Sequence, residues 1–274
     1  MNKNLIIVRG GGDLATGTIH RLWSAGFQVL VLEAEYPAAI RRQVAVSEAI
    51  YEDVITIEGM TAKKVETEEE MNAVWQKKEV PIVSDPSGEW IRRLSPAVVV
   101  DGILAKKNLG TNREMASLTI GMGPGFTAGE DVDVVIETMR GHNLGRVIRM
   151  GSAMPDTGVP GNVGGFTKER VMHAEQAGIL KNCRSIGDYV QQGETIAVIV
   201  QGENEYAVTA SISGLIRGLI RDGFPVTKGF KIADIDPRKE EYANCFTISD
   251  KARCIAGSVL EAVCAFLMEK GMNP

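Results

Sequence analysis

Aromatic residues are scarce: Phe, Trp and Tyr make up 5% of the 274 residues. Single-stranded nucleic acids are gripped by stacking bases on aromatic faces, and a net charge of −5 offers no basic field for a phosphate backbone. Nucleic acid is therefore not an expected partner. Long hydrophobic runs are missing as well. No stretch approaches the ~18 apolar residues that span a bilayer, and the opening MNKNLIIV is too short an apolar run for a secretory signal. The expectation is a cytoplasmic protein with no membrane partner. The four cysteines, Cys183, Cys245, Cys254 and Cys264, lie far apart, with no CxxC pair and no His-containing spacing of the zinc type. Neither disulfides nor a structural metal is expected. The three histidines, His20, His142 and His173, stand at no spacing that would assemble with a serine or cysteine nucleophile.

What is abundant is glycine, 30 residues, in a chain 44% hydrophobic and 24% charged, the composition of a folded globular protein. Apolar runs at residues 6–8 and 29–32 bracket a segment in which Leu14, Ile19, Leu22 and Trp23 recur near the helical period, a βαβ pattern. Further continuous runs at 80–84, 97–100 and 117–122 read as strands buried on both faces. The expected fold class is α/β: a Rossmann-like, doubly wound, mostly parallel sheet over residues 1–175, with Gly- and Pro-rich loops crowding 121–165.

A repeat follows. IGDYVQQGETIAVI (186–199) and DGFPVTKGFKIADI (222–235) align at an offset of 36 with six identities, Gly187/Gly223, Val190/Val226, Gly193/Gly229, Ile196/Ile232, Ala197/Ala233 and Ile199/Ile235. The pattern resembles the barrel-sandwich hybrid of biotinyl and lipoyl carriers, expected over 176–238. The tip between the copies, QGENEY, carries no lysine, and none occurs from 182 to 227, so no biotin or lipoyl attachment is expected. The tail, 239–274, reads as a helical segment with Ile255, Val259, Leu260, Val263 and Leu267 on one stripe, packing back on the core or against a partner subunit.

Chemistry concentrates at the glycines. Gly10, Gly12 and Ala15 fit G-x-G-x-x-G/A, with Gly11, Asp13 and Thr16 completing a turn placed after a strand and before a helix, where backbone N–H groups receive a phosphate. Glu33, 23 residues beyond Gly10, sits where a carboxylate would meet a ribose hydroxyl. Asp13 opposes an anion beside that cradle. Ligands of doubly wound sheets lie beyond the carboxyl ends of the strands, which nominates Asp85, Asp101 and Lys106, with Lys107 beside it. Asp85 reads equally as a helix cap. The loop at 121–131 could form an anion nest from Gly123, Gly125 and Thr127, although Glu130 and Asp131 would then call for a cation. Arg41 and Arg42, after Pro37, read as a solvated helix face or, alternatively, as groups within reach of a phosphate. The cofactor expected from these residues is NAD or another nucleotide.

Taken together, VRGGGDLATGTIHRL, EAEYPAAIRRQVAVSEAIYE, DGILAKKN, GMGPGFTAGEDVDVVIETMRGHNLGR and ISDKARCIAGSVLEAV make the chain resemble, over essentially its whole length, the accessory or maturation proteins of selenium-dependent molybdenum hydroxylases (YqeB-type). The sheet part is similar to XdhC-type molybdenum cofactor chaperones. The resemblance implies a maturation factor for xanthine-dehydrogenase-like enzymes. It would bind a nucleotide or the molybdenum-pterin cofactor, with the hydroxylase or its cofactor-delivery proteins as partners and a homo-oligomer compatible with the tail. In its sharpest form Cys183 or Cys245 accepts sulfur or selenium. Two other functions stay open: an NAD-dependent oxidoreductase, for which no general acid stands near the fingerprint, and a non-catalytic nucleotide-sensing or scaffold protein. The resemblance assigns no catalytic residue, and the sequence leaves open whether the chain is an enzyme.

Overall fold

The structure is a computed structural model and describes residues 2–271. The chain divides into two compact units. Unit one comprises Met1–Pro37, Ala45–Thr157 and Ile248–Pro274, and unit two Ala38–Val44 and Gly158–Thr247.

Unit one runs β1 (Asn2–Arg9), α1 (Asp13–Ser24), β2 (Gln28–Glu33), α2 (Ala49–Glu52), β3 (Val54–Ile57), β4 (Met60–Lys64), α3 (Glu68–Gln76), β5 (Val80–Ser84), α4 (Glu89–Leu94) and β6 (Pro96–Asp101). There follow β7 (Leu118–Met122), β8 (Thr127–Ala128), β9 (Val134–Ile136), β10 (Val147–Ile148) and β11 (Gly151–Ser152), and, after the excursion into unit two, α5 (Asp250–Glu269). Nine strands form one sheet in the order β10-β9-β7-β6-β1-β2-β5-β4-β3. Its strands are apolar at successive positions because both faces are covered. Ile6, Val8, Val31, Val98 and Val100 face one cluster with Ile19, Leu22, Ile255 and Val259 of α1 and α5. Leu5, Ile7, Leu32 and Val99 face another with Met71, Val74, Trp90 and Ile91 of α3 and α4. The start of α3 is fixed by a capping box, Thr67 accepting from the Glu70 N–H while the Glu70 carboxylate reaches back to the Thr67 N–H.

The expected Rossmann-like doubly wound sheet is corrected by this topology. The sheet is mixed, with antiparallel pairs β3–β4 and β9–β10 at its two edges. Strand β6 returns to β7, and β7 to β9, without an α-helix; the first connection holds only a 3-10 turn at Arg113–Met115. Segments 102–117 and 123–133 are rich in glycine and polar residues and contain no apolar stripe long enough to cover the sheet as a helix.

Unit two contains β12 (Val171–His173), β13 (Gly178–Asn182), β14 (Tyr189–Val190), β15 (Thr195–Gln201), β16 (Asn204–Thr209), β17 (Gly214–Leu219), β18 (Pro225–Val226) and β19 (Lys231–Asp236). They form two four-stranded sheets, β12-β19-β17-β14 and β16-β15-β13-β18. The first repeat supplies β14 to one sheet and β15 to the other, the second β18 and β19 in the opposite assignment. Here too the expectation is corrected: instead of a biotinyl- or lipoyl-like barrel-sandwich hybrid confined to 176–238, there are separate antiparallel sheets. One of them needs β12 from upstream of the repeat, and Ile40 and Arg42 bond to the Leu219 backbone. No helix among the described residues is long and apolar enough to cross a membrane.

Candidate functional site

The parallel strands of unit one bring their carboxyl ends into one row, with Arg9 beside Leu32 on β2 and beside Asp101 on β6, Asp101 beside Gly121 on β7, and Glu33 beside Ser84 on β5. The glycine turn leaves this row. Gly10 donates its N–H to the Leu32 carbonyl at 2.7 Å and holds φ at +89°, with Ile103 backbone atoms 2.9 Å from where a Cβ would stand; only glycine fits both demands. Gly11 donates to Glu33 Oε2 at 2.6 Å and accepts from Ser47 N. Gly12 is different. It is the N-cap of α1 at φ −65°, with no side-chain cap on the helix, and nothing lies within 4 Å of its added Cβ. Gly12 has no side chain with which to cap the helix, so the N-cap position itself puts no hydroxyl or carboxylate over the positive end of α1.

Glu33 lies beside this turn. Each carboxylate oxygen takes a backbone N–H, Oε2 that of Gly11 and Oε1 that of Ala34 at 2.8 Å. Burial pushes its carboxyl above the usual glutamate range against the pull of those two donors. Ala15 and Thr16 face inward. Ala15 is met by the loop after β6, whose Gly102 has no room for a side chain, at 2.9 Å. Thr16 donates to Gly12 O and accepts from Val46 N at 3.0 Å, tying the turn to the 45–47 segment.

The remaining sequence candidates are spent within the protein. Asp85 accepts from Trp90 N (2.8 Å) and Ser87 Oγ (2.7 Å) at the head of α4. Burial alone would raise its carboxyl, but these donors hold it below the usual aspartate range. Asp101 is 1% exposed. It accepts from Thr111 Oγ1 at 2.5 Å and Ile103 N at 3.0 Å, lies 3.6 Å from Arg9, and Arg9 in turn donates to Thr111. Lys106 pairs with Asp156 at 2.7 Å on the surface. At Gly123 and Gly125 a Cβ would meet Thr138 and the Lys107 backbone at 2.6 Å. Thr127 donates its N–H to Asp131 Oδ2 at 2.8 Å, and its hydroxyl meets Ser152 at 3.0 Å. The 121–131 loop is thus closed on its own side chains. Of the sequence candidates, Gly10, Gly11, Gly12, Asp13 and Glu33 stay together at the β1–α1 turn, where Gly12, Asp13 and Glu33 are partly exposed and Gly10 and Gly11 are buried.

One residue that the sequence reading passed over belongs with them. Lys251 lies in the first turn of α5, whose Ala252 backbone sits 3.0 Å from the Cβ position of Gly17, one turn along α1 from Asp13. Burial pulls the Lys251 ammonium below the ordinary lysine range and Arg140 adds to this, while the carboxylates of Asp13, Glu137 and Asp156 oppose it. Its signal was ISDKAR: a lysine directly after a Ser-Asp helix start, where the helix dipole favours an anion. Among the described residues no three His, Cys, Asp or Glu side chains gather to hold a metal ion.

No family model matches the chain. It is 47% identical over 269 residues to "Uncharacterized protein YqeB" of Escherichia coli K12, covering 98% of this chain and 49% of that protein. The chain therefore spans about half the length of the curated relative it matches. Among solved structures it overlaps an aspartoacylase family protein of Mesorhizobium loti at TM-score 0.31 and 12% identity, over 87% of this chain and 86% of that one. It also overlaps the apo ectoine utilization protein EutE of Ruegeria pomeroyi at 0.28 and 8%, over 85% and 86%. Likeness this low transfers neither fold nor activity. The expected kinship with selenium-dependent molybdenum hydroxylase maturation proteins and XdhC-type chaperones is corrected by these findings. The sequence relative carries no described function, and no family model ties the chain to a maturation protein or a cofactor chaperone. The maturation role is set aside.

Proposed function

We propose that unit one binds a nucleotide, with phosphate at the first turn of α1 and sugar hydroxyls toward Glu33. The observation that carries this reading is Gly12, which stands open at an α-helix start without a side-chain cap, beside a strand-end carboxylate already ordered by the same turn. Phosphate there would meet backbone N–H groups and the positive end of α1, and Lys251 supplies a cation to offset Asp13. Four free thiols are in keeping with a reducing, cytoplasmic setting.

The test follows from the local geometry. Because Gly12 has an ordinary φ and open space around it, Gly12→Val keeps the fold, at a cost of about 1 kcal/mol for valine at an N-cap, yet fills the phosphate position. Titration calorimetry and thermal shift with ATP, GTP, NAD and inorganic phosphate should show a nucleotide that raises the melting temperature of the native chain. The valine variant should lose that rise. A panel without effect, or a Gly12→Val variant that binds as the native chain does, rejects the reading.

A further inference from the structure

Strand β16 ends its sheet, and β12 ends the other sheet of unit two. Between them lies a groove of ≈1010 Å³, above the ~300–1,000 Å³ of small-ligand pockets. Met172, Ile199 and Val208, all buried, contribute to its lining. Along one side runs β16, paired with β15 continuously from Asn204 to Val208 and, beyond a register shift at Thr195–Ala197, again at Thr209, with no strand among the described residues on its other side. At about 3.3 Å per residue, its six residues make an edge roughly 20 Å long.

Exposed edges are normally blunted by lysine, proline or a bulge that turns them away. NEYAVT has neither lysine nor proline, and its one charged residue is Glu205. Around the groove the charges are mainly acidic. Glu205 on β16 and Glu175 on the facing segment both line it, against Lys228, and Glu203 stands exposed at the turn leading into β16. An open backbone edge, an apolar lining and an acidic border together match one kind of occupant.

We propose that this groove receives an extended basic peptide segment of a partner protein, added as a further strand along β16. Main-chain hydrogen bonds to the edge supply affinity, alternate apolar side chains enter the groove, and lysine or arginine side chains on the other face meet Glu205 and Glu175. A second copy of this chain is the poorer occupant, since pairing two β16 edges gathers two sets of Glu203 and Glu205.

The test uses the full ¹⁵N-labelled chain and three acetylated, amidated hexapeptides: Lys-Val-Thr-Val-Lys-Val, its counterpart with Glu in place of Lys, and the basic peptide N-methylated at alternate residues. The basic peptide should shift the amides of residues 204–209 and 171–173 saturably, and bind roughly tenfold tighter than the acidic one at low salt. N-methylation should abolish binding. Glu205→Lys, at an exposed position, should keep the native melting temperature and weaken the basic peptide by about tenfold. Absent shifts with all three peptides, shifts elsewhere, equal affinity for the acidic peptide, or indifference to N-methylation each overturn the proposal. So does a concentration-dependent dimer that protects 204–209 from exchange without peptide, which would assign the edge to a second copy.

Discussion

Arg9 and Asp101 end adjacent strands in register, and Thr111 stands between them with its hydroxyl bonded to both. All three are under 5% exposed, so the charges are compensated inside the protein and not offered to a ligand. Removing one partner of such a pair leaves a buried charge without compensation, which costs about 3–5 kcal/mol. Arg9→Met should therefore lower the urea midpoint sharply, and Arg9→Met with Asp101→Leu should regain much of the loss, because an apolar pair carries no desolvation penalty. A double variant as unstable as the single one would refute the account. The strand-end positions of both residues were legible in the sequence, since each closes an apolar run. Their burial was not. It depends on Thr111, delivered by a loop whose path follows no hydrophobic period, and the same holds for the Trp90 and Ser87 donors that occupy Asp85.

At the scale of elements, α5 is held by α1 along its side and by the β3–β4 turn at its start. Gly17 lets the two helices approach until Ala252 Cβ is 2.8 Å from where a side chain would begin. At the turn, Glu58 accepts from Ile248 N at 2.8 Å and pairs with Arg253 at 2.6 Å. Burial alone would raise the Glu58 carboxyl, yet the Ile248 N–H and the Arg253 guanidinium hold it below its ordinary 4.5. A carboxyl lowered in the folded state stabilises the fold above its unfolded value, and that contribution disappears as pH falls through the folded one. The native chain should thus lose melting temperature more steeply on acidification than Glu58→Gln, with the two curves converging at the acid end. Calorimetric melts across that range check it, and parallel curves would contradict it. The apolar stripe of α5 was legible because helical periodicity is local. Its docking on Glu58 was not, since 190 residues separate the partners.

For the whole molecule, the sequence showed the change of texture from long buried strands to repeated short ones and turned the tail back on the core, but it drew the two sheet domains as consecutive stretches, 1–175 and 176–238. The structure instead interleaves them: unit one takes three segments and unit two takes two. The apolar stripe of the tail marked it as a packing face, whereas the 38–44 segment has no pattern that sets it apart from its neighbours and is assigned to unit two only by what it packs on. The tail's contribution can be weighed. Ile255, Val259, Val263, Phe266 and Leu267 of α5 are buried, each worth about 1.5–3 kcal/mol over exposure. Their sum, on the order of 10 kcal/mol, matches the 5–15 kcal/mol (roughly) by which whole domains are stable. A chain ending at Thr247 should therefore keep exchange protection in the sheets of unit two while β1, β6 and β7 lose theirs. A synthetic peptide of residues 248–274 added in trans should restore it, as read by hydrogen exchange with mass spectrometry. If β1 and β6 stay protected without α5, the tail is an appendage and unit one carries its stability without it.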